Sequence, residues 1–164
     1  LNAAMGLAIC SVLGIEISEV KDALHNVNFP ERRLSIHKSI ANSILIDDSY
    51  NSNPASMKRS IDLIASMNNY KKICLFGAMK ELADDSSSLH SDIYEYARDK
   101  IDYFYCLGEE WNCIKDTDNT NFKIFLSHEE LYESSKNLIN LDTVTLVKGS
   151  RSTRMDVVAD KLKN

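Results

Sequence analysis

What most constrains this chain is a regular alternation, from residue 42 onward, of short apolar runs with amphipathic segments of helix length. Residues 42–47 (NSILID), 72–77 (KICLFG), 101–108 (IDYFYCLG), 122–126 and 142–148 (DTVTLVK) are compact and apolar, as buried strands are. Between them, residues 55–67 set Met57, Ile61 and Ile64 on one helical stripe, and residues 86–100 also read as helix. Ser127 with Glu130 three residues on has the spacing of a capping box, and Met155, Val158, Ala159 and Leu162 form the stripe of a last helix. Strands separated by helices pair through crossovers, which gives a mostly parallel sheet with helices on both faces. The expected fold class is α/β, Rossmann-like.

The first thirty residues have a different texture. Residues 3–13 place Met5, Ile9, Val12 and Leu13 on one stripe, and Gly14 stands where the helix should stop. A second short helix is expected from the cap Ser18 to near Asn26, before Pro30. The chain opens inside a helix with no initiator Met, so it reads as a piece of a longer protein. Residues 1–30 are then the end of one domain with a linker, and 31–164 a second domain.

Composition excludes several classes. At 164 residues and 44% hydrophobic, the chain is long enough to bury a core. Its net charge is -5 and its 19 basic residues are scattered, so no nucleic-acid surface is expected. No apolar run approaches the roughly 20 residues needed to span a bilayer, so no membrane partner is expected, and the N-terminus lacks the basic residues of a secretory signal. Cys10, Cys74, Cys106 and Cys113 form no CxxC pair and fit reduced thiols of a cytosolic protein. His25, His37, His90 and His128 lack metal-ligand spacing and suit surface or hydrogen-bonded roles.

In sheets of this kind ligands bind at the carboxyl ends of the strands, and three polar loops fall there. Residues 47–54 (DDSYNSNP) combine two acids, a phenol and two amides, a set that can accept ribose hydroxyls or pair with an amide or carboxylate. The same residue types also favour turns and helix caps, and that plainer reading stays open. Residues 148–152 (KGSRS) place Lys148 and Arg151 before a helix, which suits a carboxylate or phosphate, or else a solvated basic turn. Residues 77–83 (GAMKELA) make a third, weaker loop. No GxxxxGK[ST] phosphate loop occurs anywhere in the chain.

Taken together and in order, these loops resemble the DDSYNxNP, GDMxELG and KGSR segments of the MurF family of Mur ligases. Residues 1–15 (LNAAMGLAICSVLGI) resemble the helix that ends that family's central ATPase domain. The resemblance covers essentially the whole chain. It implies an ATP-dependent ligase that adds D-alanyl-D-alanine to UDP-N-acetylmuramoyl-tripeptide through an acyl phosphate, in peptidoglycan precursor synthesis in the cytoplasm. It also implies that residues 31–164 form a C-terminal domain that works against its own central ATPase domain, in a monomer. That central domain would supply the phosphate loop and the ligands of Mg2+, so neither metal ligands nor catalytic residues are expected in this chain.

Carried over position by position, the resemblance puts Asn2 on adenine, Asp48 on the ribose of ATP and Arg33 on the ATP side. Tyr50, Asn51, Asn53, Lys148, Ser150 and Arg151 would face the dipeptide or the acyl phosphate. Three positions depart from the family pattern: Ala78 and Ala83 replace the Asp and closing Gly of the second loop, and Arg32 replaces a Gly. An Arg at that point argues against a positive φ. Two competing readings are a different amide ligase of the same superfamily, acting on another amino acid or a polyglutamate chain, and a non-catalytic interaction or regulatory domain on a Rossmann-like scaffold.

Overall fold

The computed structural model describes residues 2–16, 18–21, 30–82, 85–114 and 118–164. The chain divides into two compact units, Leu1–Pro30 and Glu31–Asn164. In the first, helix α1 (Asn2–Val12) ends as its sequence predicts. Gly14 takes φ 74°, and the Ile15 and Gly14 amides donate to the Cys10 and Ser11 carbonyls at 2.9 and 3.1 Å. That paired closure needs a left-handed residue where only glycine is unstrained. Ser18 already lies inside the following helical turn, and the expected end near Asn26 falls outside the described residues.

The second unit is one six-stranded sheet in the order β1-β2-β6-β3-β4-β5. Its strands are β1 (Ser35–Lys38), β2 (Ile44–Asp48), β3 (Lys71–Gly77), β4 (Tyr103–Leu107), β5 (Phe122–Phe125) and β6 (Thr143–Lys148). Every pairing is parallel except β1 with β2. The crossovers carry α2 (Pro54–Ala65), α3 (Ser86–Ala97) and α4 (His128–Lys136), and α5 (Asp156–Leu162) closes the chain. The α/β expectation holds. Strand β1 is an addition the apolar pattern did not announce, because Ile36 faces solvent at 74% exposure while Ser35 and His37 are half-buried.

Successive residues of each strand enter opposite layers. Ile46, Cys74, Phe76, Phe104 and Leu146 pack with Met57, Ile61 and Ile64 of α2 and Ile93 and Tyr94 of α3 on one face. Leu45, Ile73, Leu75, Tyr105 and Val147 pack with Leu131 of α4 and Met155, Val158 and Leu162 on the other. The two stripes read from the sequence of this unit, Met57, Ile61 and Ile64 and then Met155, Val158, Ala159 and Leu162, are wholly buried. Ser127 caps α4 as expected, its side chain accepting from the Glu130 amide at 3.2 Å. All four cysteines are free, and Cys74 and Cys106 are buried core residues whose thiols burial pushes up.

Candidate functional site

Strands β2, β6 and β3 are neighbours, so their carboxyl ends bring together three loops that are far apart in sequence. Asp48 and Lys148 occupy paired positions in the β2–β6 register. Lys148 Nζ donates to Asp48 Oδ2 at 2.6 Å and to the Asn51 carbonyl at 3.0 Å. Ser60 Oγ also donates to Asp48 Oδ2 at 2.8 Å, and the Leu34 amide donates to Oδ1 at 3.2 Å. Lys148 is 2% exposed. Burial pushes its ammonium below the ordinary lysine range; Asp48 opposes the shift and the charges of Arg59 and Arg33 reinforce it.

Asp47 does something else. Being next in sequence to Asp48, it points to the other face of the sheet. Its Oδ1 accepts from the Ser49 amide and hydroxyl at 3.1 and 2.6 Å, and Oδ2 faces Lys163 Nζ at 2.9 Å. This acid therefore ties the turn and the C-terminal tail together.

Arg33 reaches the site through a sharply wound segment. Its neighbours Arg32 and Leu34 both take left-handed conformations, with φ of 62° and 56°. The expectation against positive φ at residue 32 is overturned. Local bonds compensate the strain: the Arg32 amide donates to Ser35 Oγ at 3.1 Å, its carbonyl accepts from Tyr50 N at 3.0 Å, and its guanidinium pairs with Asp156 at 2.5 Å and Asp160 at 3.0 Å. Arg33 itself stacks 4.2 Å above the Tyr50 ring, a cation–π contact that holds the guanidinium without neutralising it.

A cleft of about 410 Å³ opens over this pair. Its lining gathers six sequence-predicted residues: Arg33, Asp48, Tyr50, Asn51, Asn53 and Lys148. Sequence reasoning missed Leu34, Ser52, Ser56, Arg59 and Ser60, which also line it. Ser56, Arg59 and Ser60 recur at helical spacing beside the apolar stripe of α2, a polar face that could have flagged them. Three cations and one carboxylate line this cleft, in a chain whose net charge is -5.

Other expected residues stand apart. Asn53 caps α2, its Oδ1 accepting from the Ser56 amide at 2.8 Å while Ser56 Oγ accepts from the Asn53 amide at 3.1 Å. Here the plain cap reading holds alongside a place in the cleft. Ser150 is buried outside the cleft lining, where its Oγ accepts from the Lys80 amide at 2.8 Å. Arg151 is exposed, with its nearest acid, Asp156, 3.8 Å away. The Asn2 side chain lies outside the described residues.

The third loop packs against the second. Gly77 and Gly149 meet back to back: a Cβ on Gly149 would lie 2.9 Å from the Gly77 Cα. The Ser150 amide donates to the Ala78 carbonyl at 3.2 Å, so this loop buttresses the KGSR turn although Ala78 replaces an acid. His90 anchors it from α3. Its Nε2 accepts from the Met79 amide at 3.0 Å, and its Nδ1 donates to the Ser86 carbonyl at 2.7 Å, which fixes a neutral tautomer.

Fold and site thus define an α/β domain with an anion-receptive cleft at the carboxyl edge of its sheet. The family model described as "Mur ligase, glutamate ligase domain" matches residues 32–151. The chain belongs to the Mur ligase family. It is 35% identical, over 98% of its length, to a UDP-N-acetylmuramoyl-tripeptide--D-alanyl-D-alanine ligase of Buchnera aphidicola, of which it covers 36%. It resembles a crystal structure of MurF from Acinetobacter baumannii with a TM-score of 0.85 at 27% identity, covering 98% of this chain and 36% of that one. A MurF ligase from Thermotoga maritima in complex with ADP shares the fold, with a TM-score of 0.81 at 24% identity, over 98% and 36%. The chain spans about a third of the length of these relatives.

Proposed function

We propose that this chain is the C-terminal part of an ATP-dependent ligase that joins D-alanyl-D-alanine to UDP-N-acetylmuramoyl-tripeptide in the cytoplasm, acting as a monomer. The observation that carries this reading is the cationic cleft formed by the DDSYN and KGSR loops, in a chain whose full-length relatives bear that name. Residues 1–30 belong to the central ATPase domain and linker, with Asn2 on adenine; residues 31–164 close over the substrates.

The cleft suits an anionic ligand, since three cations line it with one acid. Bound ATP supplies the phosphoryl group that activates the tripeptide carboxylate. Arg33, braced on Tyr50, offers its guanidinium to the phosphoryl oxygens. Asp48 receives three internal donors, and a carboxylate has about four acceptor sites, which leaves one for a ribose hydroxyl. Tyr50, Asn51, Asn53 and Lys148 orient the dipeptide so that its amine meets the acyl carbon with water excluded, while Ser150 and Arg151 border that space. Asp48, the one carboxylate that lines the cleft, is tied to Lys148 and is not assigned to Mg2+. The metal's ligands lie in the central domain.

The test is a pair of assays. The 164-residue chain with ATP, tripeptide and D-alanyl-D-alanine is expected to release no phosphate; release that depends on both substrates overturns the division of labour. In the full-length enzyme, Asp48→Ala is expected to raise the KM for ATP. A rise confined to the KM for dipeptide removes Asp48 from the ribose.

A further inference from the structure

His90 is fully buried in α3 and does not line the cleft, so nothing said so far gives it a part in the reaction. Both of its ring nitrogens are nonetheless committed. Nδ1 donates to the Ser86 carbonyl of its own helix at 2.7 Å, which leaves Nε2 to accept from the Met79 amide at 3.0 Å. Burial pushes the imidazolium below the ordinary histidine range and so keeps Nε2 an acceptor. The ring is braced edge-on against Trp111, with centroids 4.6 Å apart. On the far side of Met79 the same stretch of backbone holds Ser150. The Lys80 amide donates to Ser150 Oγ at 2.8 Å, and the Ala78 carbonyl accepts from the Ser150 amide at 3.2 Å. Ser150 Oγ in turn donates to the Ser52 carbonyl at 3.5 Å, which ties the KGSR turn to the DDSYN loop.

Three consecutive residues, Ala78 to Lys80, therefore stand between the imidazole and the KGSR turn. Their own side chains do not replace that hold: Ala78 has no polar group, Met79 is apolar and buried, and Lys80 reaches Glu110. A buried amide that loses its acceptor turns to find another, and the peptides on either side of Met79 are the ones that grip Ser150. We infer that His90 is a positioning residue, which fixes the Ala78–Lys80 backbone and through it sets Ser150 and the KGSR turn for the dipeptide side of the reaction. The reference to the dipeptide rests on the proposed function; the coupling of His90 to Ser150 does not.

Two substitutions separate the acceptor from the ring. His90→Phe keeps a ring against Trp111 but offers no acceptor, whereas His90→Gln carries an oxygen at the position of Nε2. In the 164-residue chain, His90→Phe is expected to shift the backbone amide resonances of Lys80, Ser150 and Arg151, and to speed exchange of the Lys80 amide by roughly tenfold, the scale of one hydrogen bond. His90→Gln is expected to restore both. Ser150→Ala removes the acceptor at the far end and is expected to shift the His90 Nε2 resonance, which keeps the coupling testable if His90→Phe does not fold. Unmoved Lys80 and Ser150 amides in folded His90→Phe, or a His90 resonance indifferent to Ser150→Ala, overturn the inference. In the full-length enzyme, His90→Phe is expected to raise the KM for D-alanyl-D-alanine by roughly tenfold and leave that for ATP unchanged, with His90→Gln recovering most of the loss. A merely structural role lowers the amount of active enzyme, and so kcat with neither KM; that result, or a rise confined to ATP, also overturns it. Wild-type enzyme that does not use the dipeptide overturns the proposed function instead, and the resonances of the 164-residue chain still decide whether His90 sets Ser150.

Discussion

Asp48 and Lys148 stand one hundred residues apart in sequence and 2.6 Å apart in space, with 12% and 2% of their side chains exposed. Such a pair gains little over an apolar one, but breaking it strands a buried charge. Asp48→Asn is therefore expected to cost about 3 kcal/mol in urea unfolding at neutral pH, and adding Lys148→Met to recover most of that loss. At Arg32 the backbone and the side chain can be separated. Arg32→Gly and Arg32→Ala both lose the pairs to Asp156 and Asp160, but only Ala keeps a Cβ at φ 62°. The Ala variant is expected to be less stable than the Gly variant by about 1 kcal/mol in the same measurement. At this scale the sequence marked Asp48 and Lys148 because both end apolar runs, where ligand residues collect in parallel sheets. It did not mark Ser52 or Arg59. A serine in a turn and an arginine on a helix are the commonest solvated residues, and that these two line a cleft is a property of the folded chain.

The loops work as elements because the backbones behind them touch. Gly149 cannot carry a side chain without displacing the Gly77 backbone, 2.9 Å from where its Cβ would be. Gly149→Ala is expected to cost about 2 kcal/mol by overpacking, read as a lowered urea midpoint. His90 couples α3 to the same region. Burial pushes its imidazolium below the ordinary histidine range, the Ser86 carbonyl opposes the shift, and Lys80 adds to it. The unfolded chain then takes up the proton first as pH falls, near about 6.5, so stability is full above that pH and declines below it toward the folded value. Between pH 7 and 5 the thermal midpoint of the wild type should fall more steeply than that of His90→Gln. The strands and helices of this layer were legible from period alone, to within a few residues. Strand β1 was not: it is an edge strand whose single apolar residue, Ile36, points outward. Its place is fixed by antiparallel pairing with β2 and by the tail, where Asn164 donates to the Lys38 and Ser39 carbonyls.

At the scale of the whole molecule, α/β architecture follows from the sequence because each strand must bury two faces, which forces long apolar runs with amphipathic helices between them. Strand order does not follow from it. The insertion of β6 between β2 and β3 is what unites DDSYN with KGSR, and only pairing over long range reveals it. Among the described residues, both hydrophobic cores draw on the second unit, from Ile40 to Leu162. In the first unit, Met5, Ile9, Val12 and Leu13 are 58%, 58%, 86% and 69% exposed, so the stripe legible in α1 buries little of its apolar surface. Apolar area left in water contributes nothing to the folded state's stability. A chain beginning at Glu31 is thus expected to fold with the same near-UV circular dichroism and a thermal midpoint within about 2 °C of the 164-residue chain, since a change of 1 kcal/mol moves a domain of this size by roughly that or more. A midpoint many degrees lower, or loss of the Trp111 signal, would show that the first thirty residues support the core that the contacts of residues 31–164 otherwise account for.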